Sequence, residues 1–148
     1  MTTFTPFAPG AIRDFLINDD EFLTLVDAVN ISTRDIPDPI DKPFVTISAP
    51  SNYGEDPMLR RPMIQADVWV PKIEMLGGDI DPEELAWNIA DLGARLVHRA
   101  PNARRRFRNA SWKATWIEGP ITDIDNERGP DTPLFRAIVR WDVKMVVR

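Results

Sequence analysis

The densest group of side chains able to bind or react is Arg104-Arg105-Arg106-Phe107-Arg108, flanked by Arg95, Arg99 and Lys113. A guanidinium presents a planar fork of donors that grips phosphate and carboxylate alike, so the run fits a nucleic-acid backbone or an acidic protein surface. Grooves for single-stranded nucleic acid interleave cations with several stacking rings. Phe107 is the only ring within this run, which favours protein contact while leaving nucleic acid open. Nucleophilic catalysis needs an activated Ser, Thr, Cys or Lys beside a base. The only imidazole is His98, between Val97 and Arg99 near a predicted helix end, where helix-end polarity or partial burial accounts for it. Asp123-Ile124-Asp125-Asn126-Glu127-Arg128-Gly129 begins like a calcium loop, but Arg128 and Leu134 stand where that loop needs its glycine and its final acidic ligand. It reads as a solvated acidic turn. Gly77-Gly78 lacks the lysine and spacing of a phosphate loop and reads as a turn before a helix that Asp79-Ile80-Asp81 introduces and caps. The expectation is a chain that is not an enzyme, with no catalytic residue, no cofactor and no metal site.

Composition narrows the class further. The 148 residues suit one domain spanning 1–148, and with 43% hydrophobic residues there is enough apolar material for a core. The absence of cysteine excludes a disulfide framework, a cysteine-zinc site and a thiol nucleophile. No apolar run approaches the ~20 residues that cross a bilayer. The opening residues lack the basic and apolar regions of a signal peptide. The formal net charge of -5 argues against a general nucleic-acid binder. Acids outnumber bases two to one in the first half of the chain, whereas the second half is near balance. Separate acidic and basic patches can attract further copies or a complementary partner.

The elements that must position these residues follow from apolar spacing. Ile12, Phe15 and Leu16, then Phe22, Leu25, Val26 and Val29, predict one broken helix or two short ones over 9–29, with Asn18-Asp19-Asp20 as the break and second cap. Ile31–Ile36 and Phe44–Ser48 predict strands. Between Pro62 and Pro71, Ile64, Ala66, Val68 and Val70 alternate with Met63, Gln65, Asp67 and Trp69. Trp69 therefore shares a polar strand face, a position suited to an interface. The prolines of the clusters Pro50, Pro57, Pro62 and Pro120, Pro130, Pro133 read as loops and strand ends. Asp81-Pro82-Glu83-Glu84 opens the main helix, whose apolar stripe is Leu85, Ile89, Leu92, Leu96 and Val97, with Trp87 as a further packing residue. Ala110–Glu118 and Phe135–Arg148 predict two closing strands. The second has arginine and lysine on a face that should meet water or a partner. The fold class is α+β, a small single-domain sandwich: a mainly antiparallel or mixed sheet of four to five strands, one long helix packed on it, and a short N-terminal helical segment.

This order of elements resembles the tail terminator (tail completion) proteins of long-tailed bacteriophages with non-contractile tails. The features that carry the likeness are the helical segment Ile12 to Val29, the proline-bounded strand Pro62 to Pro71 and the Asp81-Pro82-Glu83-Glu84 helix. To these are added the closing segment from Gly119-Pro120 to Arg148 and its loop Asp125-Asn126-Glu127-Arg128-Gly129. The resemblance implies a virion protein made in the host cytoplasm and built into the head-proximal end of the tail. It would form a ring, usually of six copies, that caps the tail tube, ends its polymerisation and offers a surface to the head connector. DNA would pass through the lumen without specific binding, and no membrane would be involved. A closed ring repeats one head-to-tail contact, so each copy needs two different complementary patches. The expected interface residues are Arg104, Arg105, Arg106, Arg108, Trp69, Asp123, Asp125, Glu127 and Arg128, the arginine run meeting either Asp35–Asp41 or Asp123–Asp131. Two alternatives stand beside this reading: a neck or head-completion protein on the connector side, and a nucleic-acid-binding module using Arg104–Arg108.

Overall fold

A computed structural model of the protein describes residues 4–55 and 59–147. The first three residues of the opening segment, Pro57 among the loop prolines, and Arg148 at the end of the last strand lie outside the described residues. Along the chain run α1 (Ala8–Ile17), β1 (Ile31–Ser32), β2 (Phe44–Glu55), β3 (Leu59–Pro71), α2 (Ile73–Leu76), α3 (Pro82–His98), β4 (Arg106–Phe107), β5 (Ala110–Asp125) and β6 (Leu134–Val147). They form an α+β fold on one mixed sheet, ordered β1-β2-β3-β6-β5-β4, in which β1 and β2 are parallel and every other pair is antiparallel.

The alternation read along β3 and β6 sets the two faces. Ile64, Ala66, Val68 and Val70 join Ala137, Val139, Trp141, Val143 and Met145 under the helices, all buried. Gln65, Asp67, Trp69, Arg136 and Arg140 take the other, helix-free face. The sheet curls around α1, which reaches both ends of the strand order. Arg13 Nε donates to Ile31 O beside β2 at 2.7 Å, and a Cβ on Gly10 would lie 3.2 Å from the Phe107 ring of β4. The break read at Asn18-Asp19-Asp20 is present: α1 stops at Ile17, and Asp19 Oδ1 accepts from Phe22 N–H at 3.0 Å, opening a single 3-10 turn.

Three sequence expectations are corrected. The sequence predicts four to five strands and the structure has six, because β4 is only 2 residues long and leaves no period to detect. The single-turn α2, closed by Gly77 in the left-handed region (φ 72), precedes α3 where only a turn is expected. Prolines read as strand ends lie inside strands instead. A one-residue bulge between Ser48 and Ser51 absorbs Pro50, another between Glu118 and Ile121 absorbs Pro120, and Pro62 occupies a gap in the β3–β6 ladder between Arg60 and Met63. Bulges and prolines on β2 and β5 also blunt edges that the short β1 and β4 leave mostly uncovered, which discourages unregulated strand pairing.

The buried stripe of α3 is rotated from the expected one. Ala86, Ile89, Ala90, Gly93, Ala94 and Val97 face the sheet, while Leu85, Leu92 and Leu96 only flank it. Bulk is supplied from below by Trp141 and from the side by Phe22, so the helix needs small residues there. Trp141 Nε1 donates to Ala94 O at 3.2 Å, and Phe22 lies 3.0 Å from where a Gly93 Cβ would stand. Trp87, expected to pack, is 46% exposed.

Candidate interaction surface

After α3 the chain turns through Pro101 and a 3-10 turn (Asn102–Arg104) into β4, then reverses at Arg108, whose φ is 55, into β5. This tight corner splits the arginine run. Arg104 turns inward. Its Nη1 donates to Asp19 Oδ2 at 3.0 Å, its Nη2 to Asn18 O and Phe15 O at 3.2 and 3.4 Å, and its guanidinium lies 4.4 Å from the Phe15 ring centre. It thus holds the C-terminal carbonyls of α1, where a cation complements the helix dipole. Arg104 is therefore a fold residue rather than the interface residue expected. Replacing Asp19, itself 5% exposed, would strand both Arg104 and the Phe22 N–H. Asp19→Ala is expected to cost about 1–3 kcal/mol in a urea melt, the range for leaving partly buried polar groups unpaired.

Arg105 and Arg106 turn to the helix-free face. There they line a recess of about 380 Å³ with Asn102, Ser111, Lys113, Lys144 and Val146. The register builds this cluster: Arg106 is opposite Ser111, Ser111 opposite Val146, and Lys113 directly opposite Lys144. Like charges facing each other across strands are destabilising. Among the described residues none of Arg105, Arg106, Lys113 and Lys144 has an acid within salt-bridge distance. Arg105 Nε and Trp112 Nε1 are buried without a hydrogen-bond partner. Arg108 lies over Phe107, its guanidinium 4.6 Å from the ring centre, and borders a different recess with Arg13, Asp14 and Arg34.

The remaining expected interface residues are largely satisfied within the chain. Arg136 forms a two-pronged pair with Asp123, lies 3.7 Å from Asp67 and 5.2 Å from the Trp69 ring centre. Trp69 Nε1 donates to Thr46 Oγ1 at 3.0 Å, so the indole is tied into the face rather than projecting from it. Arg140 bridges Gln65 (2.8 Å) and Glu118 (3.0 Å), and Gln65 Nε2 donates to Asp67 at 2.7 Å. Asp125 Oδ1 accepts from Glu127 N–H, a local turn bond. Arg128 pairs with Asp38 at 3.4 Å and donates to Ile36 O, clasping the 126–133 loop to residues 36–38. Glu127 stays exposed. Among the described residues, no group of three His, Cys, Asp or Glu is placed to hold a metal. His98 Nδ1 accepts from Trp116 N–H at 3.1 Å and pins the end of α3 to β5.

Burial of Asp67 pushes its pKa above the usual carboxylate value, against the pull of Gln65 and Arg136. The native state therefore holds this proton more tightly than the unfolded chain. Ionised Asp67 opposes folding at neutral pH, and that opposition fades as the pH falls through its folded pKa. Asp67→Asn is expected to be as stable as the natural chain or more so at neutral pH, with the advantage shrinking on acidification. Urea midpoints at both pH values check this, and a clear loss at neutral pH would mean the Arg136 attraction outweighs burial.

Sequence reasoning placed Arg105, Arg106 and Lys113 near one another but missed Lys144, 31 positions from Lys113, because only strand register brings the two lysines opposite. No protein-family model and no curated protein matches the chain.

Proposed function

We propose that the protein is a structural virion component of a long-tailed, non-contractile phage. It closes into a ring, six copies being the expected number, that caps the tail tube, ends tube growth and presents a surface for the head connector. It works by contact rather than by catalysis, and DNA crosses the lumen without specific binding. The observation that supports this reading is the segregation of unsatisfied charge. Four unpaired cations gather beside β4 and β5, while Asp35 and Asp41, exposed and without a cation within 4.0 Å among the described residues, lie in the loop between β1 and β2. These are opposite ends of the strand order. Two different, complementary patches per copy are what a head-to-tail ring requires.

The direct test is to add purified protein to growing tubes of the tail-tube subunit. Tubes should stop lengthening, with density for one added ring at a single end under the electron microscope. Unaltered growth and bare ends would overturn the proposal. The basic recess also gives the nucleic-acid reading a specific basis. Duplex binding that weakens steeply with salt, by several phosphates' worth of slope, would favour it.

A further inference from the structure

The recess at the β4–β5 corner is assembled at a cost to the isolated chain. Lys113 faces Lys144 across paired strands, Arg105 and Arg106 join them, and the buried Arg105 Nε has no acceptor. An arrangement of donors and like charges without a counter-charge is relieved by binding an oxyanion, since charge-assisted bonds to guanidinium and ammonium groups are the strong ones. The Ser111 and Asn102 side chains at the rim add neutral hydrogen-bonding groups. At about 380 Å³ the recess has room for one or two side chains.

We infer that this recess is a carboxylate-binding socket, and that its occupant is the Asp35–Asp41 loop of a second copy of the chain. The inference rests on the ring reading and names the contact that would close the ring. Three observations select this occupant. The chain's net charge of -5 makes its own surfaces a ready source of carboxylates and repels a polyanion from most of the molecule. Within the loop, Asp35, Asp38 and Asp41 are all exposed, and Asp35 and Asp41 are unpaired among the described residues. The Arg128 clasp on Asp38 and Ile36 fixes the loop's backbone, so presenting these carboxylates costs little ordering. The other acidic stretch offers less: Asp123 is consumed by Arg136, and Asp125 by the Glu127 N–H. On its own chain no ion pair among the described residues joins the loop to the socket, so the contact is made between copies.

The chain has no cysteine, which allows a clean proximity test. Ser111→Cys at the socket and Pro37→Cys in the loop, combined in one chain, should oxidise to a ladder of covalent multimers on a non-reducing gel. Each single variant should give dimers at most. The charge arms are Arg105→Asp with Arg106→Asp, and Asp35→Arg with Asp41→Arg. Either pair alone should weaken self-association at least about tenfold, and all four together should restore it. Melting temperatures within about 2 °C of the natural chain would show that the variants fold. Rings on tubes with no cysteine ladder, or an acidic-loop reversal without effect, would overturn this contact while leaving the ring reading intact. A chain that neither caps tubes nor forms the ladder would overturn both. Salt-sensitive DNA binding abolished by the Arg105/Arg106 pair but indifferent to the loop pair would reassign the socket to phosphate.

Discussion

Gly119→Ala is expected to destabilise the protein by at least about 3 kcal/mol and to disturb the β5–β6 pairing, because two separate costs coincide. Gly119 has φ 94, a left-handed conformation that side chains avoid, and a Cβ there would stand 2.1 Å from Ile138 O and 2.9 Å from Val139 Cα. Both obstacles are backbone atoms of the neighbouring strand and cannot rotate away. Relief requires β5 to move off β6, and β6 is the strand through which β3 and β5 are joined. Gly78→Ala is the matched control: nothing lies within 4 Å of its Cβ position, so it should melt within ~0.5 kcal/mol of the natural chain. Urea denaturation of the two variants side by side measures the difference. A Gly119→Ala melt indistinguishable from that of Gly78→Ala would refute the bulge geometry.

Trp141→Ala carries the second large effect. Trp141 is fully buried, at the middle of the central strand, and its indole N–H reaches Ala94 O on α3. Truncation opens a void between sheet and helix that the small residues Ala90, Gly93 and Ala94 cannot fill, so a loss of about 3–5 kcal/mol is expected. Trp141→Phe keeps most of the ring and loses the hydrogen bond, for which ~1 kcal/mol is the usual cost. Circular dichroism should follow both melts, because tryptophan fluorescence is altered by the substitution itself. A loss for Trp141→Ala no greater than that for Trp141→Phe would show that the helix is anchored elsewhere.

These positions also show which parts of the fold were legible beforehand. The alternation in β6 was readable because one face is fully buried and the other carries Arg136, Arg140 and Lys144, so each residue's type reports its side. The start of α3 was readable because capping is local: Asp81 Oδ1 accepts from Glu83 N–H at 3.1 Å, as the Asp-Pro-Glu-Glu signature implies. The packing stripe of α3 was not, because Ala86, Ala90, Gly93 and Ala94 pack by being small, and a count of large apolar residues passes over them. β5 was cut short at Gly119-Pro120 because a proline reads as a strand end unless a bulge absorbs it, and bulges leave no periodic trace.

The interaction surface divides in the same way. A run of arginines announces charge but not direction. Arg104 was taken for a partner-binding residue, although its partner Asp19 lies 85 positions away and the pairing exists only once α1 has docked. Asp123, Asp125 and Arg128 likewise read as free charges until Arg136, Glu127 and Asp38 are brought beside them. The socket emerged by the converse route. Lys113 and Lys144 look unremarkable in sequence, and strand register turns them into an unneutralised pair next to Arg105 and Arg106. Long-range register is non-local information, so residue spacing alone could not supply it.

The central proposal is that this chain ends tail growth, and electron microscopy of lysates from the parent phage with this gene removed tests it most directly. The account predicts overlong tails of variable length beside unattached heads, and normal tails once the gene is restored. Tails of normal length joined to heads would contradict it, and normal-length tails beside leaking, unjoined heads would move the protein to the neck instead.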